Sequence, residues 1–556
     1  MRLPRDMWPG AILKALFATK AEAALAVALF ALFFLEHLPA HEHPAAALAA
    51  AWREHLRGAA AWTAAALVPL WALGRRSRPF YWVAPPVWVF CTAAVWFFRM
   101  NFRTGLGGSW IGIVAGSSSD EASWFLRTYL GWNAALAFAA LAAAAFALVR
   151  LASALERSPS SKIRCAAAAV AALLFYRYAM VSHGPFFFLW DSPVATLLTD
   201  SAKEWPHYLS LRDMKARPAP ADGLARAPGV DAACAGVFVL GESAARSHWS
   251  LYGYGRPTTP RMDAIAGELT VFHDLVSPSM TTASAMELIL TTATLENRRD
   301  LRYTVAQILR QTGYFAPLFS AQGRWSQFDG VETFAFAGCE PMVFLEEDLP
   351  KPWYDDALLA RLDAALAPTN RPTVAFLHLA GSHLPPGEKY PPDAAPFPHE
   401  DVPDGYVRIS VDNYDNSIAF TDSVLGGVID RLRARGGPAW MLYLSDHGES
   451  PSSESWRTAT DPDIWEVPFI VWLSPEYKAR FPETAAALEK AATLPLQSDE
   501  LLAGILHLAG VVGCGVGTDR DFLDASFRPR AGRKVEDGRR LYKELKEKPE
   551  RTADES

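Results

Sequence analysis

The stretch Met441-Leu-Tyr-Leu-Ser-Asp-His-Gly-Glu-Ser450 decides the fold. An apolar run from Trp440 to Leu444 stops on an adjacent acid and imidazole, then on a glycine. A buried strand ending this way delivers its polar residues to the C-terminal edge of a sheet, where α/β domains bind ligands. Asp446 offers a hard anionic oxygen and His447 a borderline nitrogen, a pairing suited to zinc or manganese. Gly448 lets the backbone turn sharply with no side chain in the way. Taken singly the triplet is ambiguous, because an Asp and a His also cap strands that bind nothing.

A second strand has the same design. In Gly236-Val-Phe-Val-Leu-Gly-Glu-Ser243, four apolar residues lead into Gly241 and then the carboxylate of Glu242. Alone, Glu242 reads equally as an acid at a helix start, favoured by the macrodipole. Beside Asp446 and His447 it reads as a metal ligand, since two strands distant in sequence can bring such groups to one sheet edge.

Three motifs carry a resemblance: Gly241-Glu242-Ser243, the downstream Tyr252-Gly-Tyr-Gly-Arg-Pro-Thr-Thr-Pro260, and Ser445-Asp-His-Gly-Glu449. Together they resemble the phosphoethanolamine transferases of Gram-negative envelopes, in the alkaline phosphatase and sulfatase superfamily. The resemblance implies an α-helical membrane domain followed by an α/β domain, its sulfatase-like sheet sandwiched by helices. It also implies a nucleophilic threonine in Phe272-His-Asp-Leu-Val-Ser-Pro-Ser-Met-Thr-Thr-Ala-Ser284. Counting from Phe272 and Ser277 puts the nucleophile at Thr282, with Thr281 the nearest competitor. Glu242, Thr282, Asp446 and His447 would then hold one zinc ion; a second zinc is left open and manganese is less favoured.

The chemistry implied is a double displacement. Thr282 attacks the phosphorus of phosphatidylethanolamine and expels diacylglycerol, leaving a phosphoethanolamine ester on the threonine. An acceptor oxygen on a glycolipid or glycan, either lipopolysaccharide core or lipid A, then takes the group. His383, in Leu377-His-Leu-Ala-Gly-Ser-His-Leu-Pro-Pro386, matches a family histidine that holds the phosphate or protonates the leaving oxygen. The family's further histidine beyond the Asp-His pair has no counterpart, that region reading Arg457-Thr-Ala-Thr-Asp461. Arg457 is a candidate phosphate ligand, because a guanidinium forks onto two oxygens, and equally a solvated loop residue. Glu449 reads as a carboxylate near the substrate that orients His447, or as a helix-start acid.

The N-terminal part reads as membrane without the family. The chain of 556 residues is 51% hydrophobic, and its apolar residues concentrate toward the N-terminus. About 20 apolar residues cross roughly 30 Å of hydrocarbon. Candidate spans are Ala23 to Leu38, Ala59 to Leu73, Phe80 to Phe98, Tyr129 to Val149 and Cys165 to Val181, with Pro85 and Pro86 inside the third. Basic residues precede the first span (Arg2, Arg5, Lys14, Lys20) and lie in the second-to-third loop (Arg75, Arg76, Arg78). Arg150, Arg157, Lys162 and Arg164 flank the fourth-to-fifth loop. The positive-inside rule sets these in the cytoplasm and sends everything after about Ser182 to the periplasm of the inner membrane. The domains expected are a five-helix bundle over 1–182, a linker over 183–230, the catalytic domain over 231–527 and a charged flexible tail over 528–556.

Other features exclude more than they propose. A net charge of −7 has no nucleic-acid signature. Of five cysteines, Cys91 and Cys165 fall in candidate spans, so Cys234, Cys339 and Cys514 allow one disulfide with a thiol left over. Lipid A-modifying relatives carry several disulfides, and position 278 is Pro rather than Cys; both departures favour a core or other glycan acceptor. A sulfatase would need a Cys or Ser in a segment with Pro and Arg at set positions, which Ser277-Pro-Ser-Met-Thr281 lacks. A phosphoglycerol transferase shares the same ligand set and is the nearer rival. A catalytically inactive membrane scaffold has no need for four metal-competent groups.

Overall fold

The computed structural model describes residues 17, 19–36, 59–60, 62–102, 132–153, 166–171, 202, 206, 209 and 223–547, except 299, 324–333, 351, 400–409, 452–460, 514–519 and 536–539. The chain forms two compact units, a helical one and an α/β one that begins near Pro206.

In the first unit, α1 (Lys20–Glu36), α2 (Arg78–Phe102) and α3 (Trp132–Ser153) coincide with three of the five candidate spans. Residues 62–73 and 166–171 are also helical, within the other two. Leu25, Leu29, Phe33, Leu67, Leu70 and Leu148 pack its interior. Arg78 Nη2 donates to Ser153 O at 2.6 Å, joining the start of α2 to the end of α3. Pro85 and Pro86 lie inside α2. Among the described residues no helix is long and apolar enough to cross a membrane, so the five-span reading is not carried by these helices.

The second unit is built on a seven-stranded sheet. In chain order its strands are β1 (Ala235–Gly241), β2 (Leu269–Phe272), β3 (Leu318–Ser320), β4 (Met342–Phe344), β5 (Thr373–His378), β6 (Ala439–Ser445) and β7 (Phe469–Leu473). The spatial order is β2-β7-β6-β1-β5-β3-β4. Pairing is parallel from β6 through β1, β5 and β3 to β4, while β7 runs antiparallel to both β6 and β2. A parallel return from β6 would need a crossover helix, and the described part of 446–468 holds only a 3-10 turn, Pro462–Ile464. The sheet is therefore mixed at that edge.

Alternation along the central strands fills both faces. Phe238, Leu240, Leu442 and Leu444 point to a layer made by α4 (Thr282–Leu290), Val305–Gln311, Pro482–Ala491 and Leu502–Leu508. Val237, Val239, Met441 and Tyr443 point to the other layer, made by Ala357–Leu366 and Val411–Arg435. These strand residues are all fully buried, each such side chain contributing about 1.5–3 kcal/mol. The expected sandwich of sheet between helices is what these two layers form. The strands β2 and β4 escape the sequence reading because they are short, half-buried edge strands with little alternation to detect.

Two expected boundaries move. Ala225–Arg226, read as linker, pairs antiparallel with Val511–Val512. Residues expected to be flexible tail instead form Lys534–Val535, paired with Arg540–Leu541, and the helix Tyr542–Glu547. Their charge density hides two apolar anchors, Val535 and Tyr542, both buried. Cys234 and Cys339 are buried and not disulfide-bonded, and Cys514 lies outside the described residues.

Candidate metal centre

Glu242 follows β1 directly, and its setting is tightly determined. Gly241 precedes it because a Cβ there would lie 2.5 Å from Tyr443 Oη. Ser243 adopts a left-handed φ of 56°, strained for a residue with a side chain. Three bonds hold that turn: Ser243 Oγ donates to Glu242 Oε1 at 2.7 Å, Ser243 N donates to Asp446 Oδ1 at 3.1 Å, and Tyr414 Oη donates to Ser243 O at 2.7 Å. The strain is thus offset by bonds that aim Glu242 at the neighbouring strand end.

That neighbour is β6, and Asp446 N donates to Gly241 O at 3.2 Å across the pair. Asp446 Oδ1 also accepts from His447 N at 2.7 Å. His447 Nδ1 meets Gly448 O at 2.8 Å, so the proton sits on Nδ1 and the lone pair on Nε2. Gly448 O therefore does the orienting that the sequence reading gave to Glu449. Glu449 is itself fully buried, with Oε1 accepting from Ser450 N at 3.1 Å. Nε2 of His447 lies 3.4 Å from Glu242 Oε1 and 3.4 Å from Asp446 Oδ2.

Thr282 closes the group from the third side. As the first residue of α4 it stands at the positive end of the helix dipole. Its Oγ1 is 3.2 and 3.1 Å from the two Glu242 oxygens and 3.4 Å from His447 Nε2. Thr281 turns away, its Oγ1 lying 3.3 Å from Ser279 Oγ. Ser277 fixes the loop, donating through Oγ to Asp446 O at 2.6 Å.

Gln322 is a neighbour that sequence reasoning missed. Its Nε2 donates to Glu242 Oε2 at 3.0 Å and to Leu379 O at 2.9 Å. The available signal was position: Gln322 lies just beyond the end of β3, at the same sheet edge as Glu242 and Asp446. His383 is in the loop after β5, where Asp355 accepts from Ala380 N at 2.8 Å and Gly381 N at 3.0 Å. Ser382 N donates to Glu242 O at 2.9 Å, bringing this loop against the carboxylate. Arg457 lies outside the described residues.

Burial by itself would raise the Glu242 carboxyl. Its proximity to the imidazoles of His447 and His383, with hydrogen bonds from Ser243 and Gln322, outweighs burial and holds the group at about 2. Nearby His378 is pushed by burial down to about 4, so it is neutral, its Nδ1 3.2 Å from Ser320 Oγ.

Glu242, Asp446 and His447 each bring one ligand atom into a group whose members lie within 4.8 Å of one another, all buried. Two buried carboxylates beside an imidazole lone pair need a cation, and the mixed oxygen and nitrogen set fits zinc.

A mixed sheet carrying this constellation at its C-terminal edge defines a candidate metal centre. Residues 236–511 match the sulfatase family. It is 28% identical over 313 residues to the phosphoethanolamine transferase EptC of Escherichia coli, covering 52% of this chain and 53% of that one. The chain thus spans about half the length of the curated relatives it matches. Its fold is similar to the integral membrane protein lipooligosaccharide phosphoethanolamine transferase A of Neisseria meningitidis, with a TM-score of 0.68, 19% identity and coverage of 92% of this chain and 98% of that one. It is also similar to the periplasmic domain of Escherichia coli EptC in complex with zinc, with a TM-score of 0.50, 22% identity and coverage of 58% and 96%.

Proposed function

We propose that this protein transfers phosphoethanolamine from phosphatidylethanolamine to an envelope glycolipid or glycan through a covalent intermediate on Thr282. The observation that carries the reading is the convergence of Thr282 Oγ1 on Glu242 and His447 Nε2 at 3.1 to 3.4 Å. Glu242, Asp446 and His447 would hold zinc, which when bound acts as a Lewis acid and lowers the pKa of a neighbouring hydroxyl.

Thr282 forms the new bond to phosphorus and the bond to the diacylglycerol oxygen breaks. His383 supplies a proton to that leaving oxygen. A phosphoryl group on Thr282 would sit at the N-terminus of α4, whose dipole favours negative charge. Gln322 holds Glu242 in place throughout. An acceptor hydroxyl then attacks the same phosphorus and releases Thr282, so one difficult transfer becomes two easier ones. Arg457 and Glu449 are kept as candidate substrate-binding residues, and a second zinc is left open.

The location follows from the first unit. Val27, Phe30, Leu73, Phe80, Trp82, Val83, Val87, Phe90, Phe146 and Val170 are exposed large apolar residues on its helices. Such a surface suits lipid better than water. We therefore place the helical unit in the inner membrane as a multi-pass anchor and the α/β unit in the periplasm. Unpaired Cys234 and Cys339 and Pro278 support an acceptor in the lipopolysaccharide core rather than lipid A.

The test is mass spectrometry of envelope glycolipids from cells with and without the protein. Gain of one phosphoethanolamine unit supports the reading, and the modified fragment names the acceptor. Gain of a phosphoglycerol unit would assign the rival transferase chemistry, and no change in any glycolipid would reject both.

A further inference from the structure

The charged segment beyond Arg528 lies against the two loops that carry the reacting groups. Val535 is fully buried in a cluster with Val276, Ile464, Trp465 and Tyr542, and Met280 packs on it. Val276 and Met280 flank Ser277, whose amide donates to Trp465 O at 2.8 Å and whose hydroxyl binds Asp446 O. Ile464 O accepts from Gly448 N at 2.9 Å, next to His447. The same few apolar contacts therefore touch both the Thr282 loop and the Asp446–His447 turn.

A polar chain extends this to the third element. Tyr542 Oη donates to Glu466 Oε1, and the Arg246 guanidinium binds Glu466 Oε2. Arg246 N also donates to Glu466 O at 2.9 Å, and Arg246 belongs to the segment that follows Glu242. On the other side, Arg533 forks onto Asp274 at 2.7 and 3.0 Å and lies over the Tyr542 ring, 5.0 Å from its centroid. Lys534 N donates to Gln497 Oε1 at 2.9 Å.

We propose that residues 533–535 and 540–542 form a positioning clasp. Acting through Glu466, they set the separation of Thr282 from Glu242, Asp446 and His447. The clasp rests on the assignment of those four residues as the reacting centre. Besides Leu496 and Gln497, the contacts described above fall on residues 274–280 and 464–466, and Glu466 in turn binds Arg246. A misplacement of about 1 Å in such a centre costs on the order of 100-fold in rate, so a single bond that sets spacing has leverage beyond its own strength.

The test uses the full-length protein in detergent, as wild type and as Tyr542→Phe, which keeps the ring and removes only the hydroxyl. Each is loaded with Co²⁺ for its visible spectrum, then with Zn²⁺ for kinetics on phosphatidylethanolamine and a lipopolysaccharide acceptor. The expected result is a shifted cobalt spectrum and kcat lowered about tenfold, with KM for the donor within about twofold of wild type. A variant lacking residues 533–556 should show a larger change of the same kind if it folds; Tyr542→Phe decides the matter if it does not. An unchanged spectrum and kcat, with or without a lower melting temperature, would overturn the clasp and leave the transfer reading intact. A spectral shift in a protein whose wild type transfers no phosphoethanolamine would support the clasp while rejecting the substrate assignment.

Discussion

Thr282 Oγ1 is 3.1 Å from Glu242 Oε2, and Glu242 Oε2 also accepts from Gln322 Nε2 at 3.0 Å. One carboxylate oxygen is thus shared between the Thr282 hydroxyl and the Gln322 amide. The two residues come from an α-helix start and a strand end forty positions apart. Their meeting brings Thr282, and not the adjacent Thr281, against Glu242.

Thr282→Ala should abolish transfer and the covalent adduct while leaving zinc bound, since Glu242, Asp446 and His447 remain. Thr281→Ala should be milder, because its hydroxyl faces Ser279. Thr282→Ser keeps the oxygen and should retain partial activity. Intact-protein mass after incubation with phosphatidylethanolamine and no acceptor, followed by peptide mapping, checks all three. An adduct on Thr281, Ser279 or Ser284 would move the nucleophile.

Removing metal should remove activity. Exhaustive chelation, or Asp446→Ala or His447→Ala, should lower the zinc content of the purified protein and cut transfer by at least about 100-fold, as loss of a Lewis acid demands. Elemental analysis alongside the assay reads both. Full turnover in protein shown to be metal-free would end this mechanism.

Gly381 should tolerate no side chain. Its φ is +51°, and a Cβ would lie 2.7 Å from Glu242 O and 2.9 Å from Glu242 N. Gly381→Ala is expected to cost about 1–3 kcal/mol of stability through backbone strain and to lower activity by displacing Glu242. Chemical denaturation and steady-state kinetics measure the two effects. A variant as stable and active as wild type would show that the loop yields freely.

Asp355 predicts a pH dependence. Burial is the largest influence and raises its carboxyl from 3.8 to about 6, against the opposing bonds from Ala380 N and Gly381 N. Between those values the folded state holds a proton that the unfolded state has lost. Stability contributed by the neutral form therefore falls as pH rises through that window and is level above it. Asp355→Asn, neutral throughout, should flatten this part of the curve. Urea unfolding of both proteins across the window tests it, and equal slopes would show that Asp355 is ionised in the fold.

The continuous apolar runs at Gly236 to Leu240 and Trp440 to Leu444 were enough to predict two buried strands ending at one edge. Such a run is a local property, readable from the chain alone. The polar residues that follow each run were legible for the same reason, and their chemistry followed from residue type. Choosing Thr282 over Thr281 by sequence required a count from a family motif. The structure separates the two hydroxyls because a helix begins between them and turns only the first helical residue toward Glu242.

What the chain could not disclose depends on contacts between distant segments. Gln322 carries no motif, and its tie to Glu242 exists only because β3, β5 and β1 lie side by side. The orienting partner of His447 is a backbone carbonyl, which has no residue type to recognise. The antiparallel pairing of β7 with β6 is a relation between strands that neither strand's own residues announce. Val535 and Tyr542 are single apolar residues in a charged stretch, with no periodicity to announce them. Only tertiary structure gives them a surface to bury against, because that surface is assembled from residues 276, 464 and 465, distant from them in the chain.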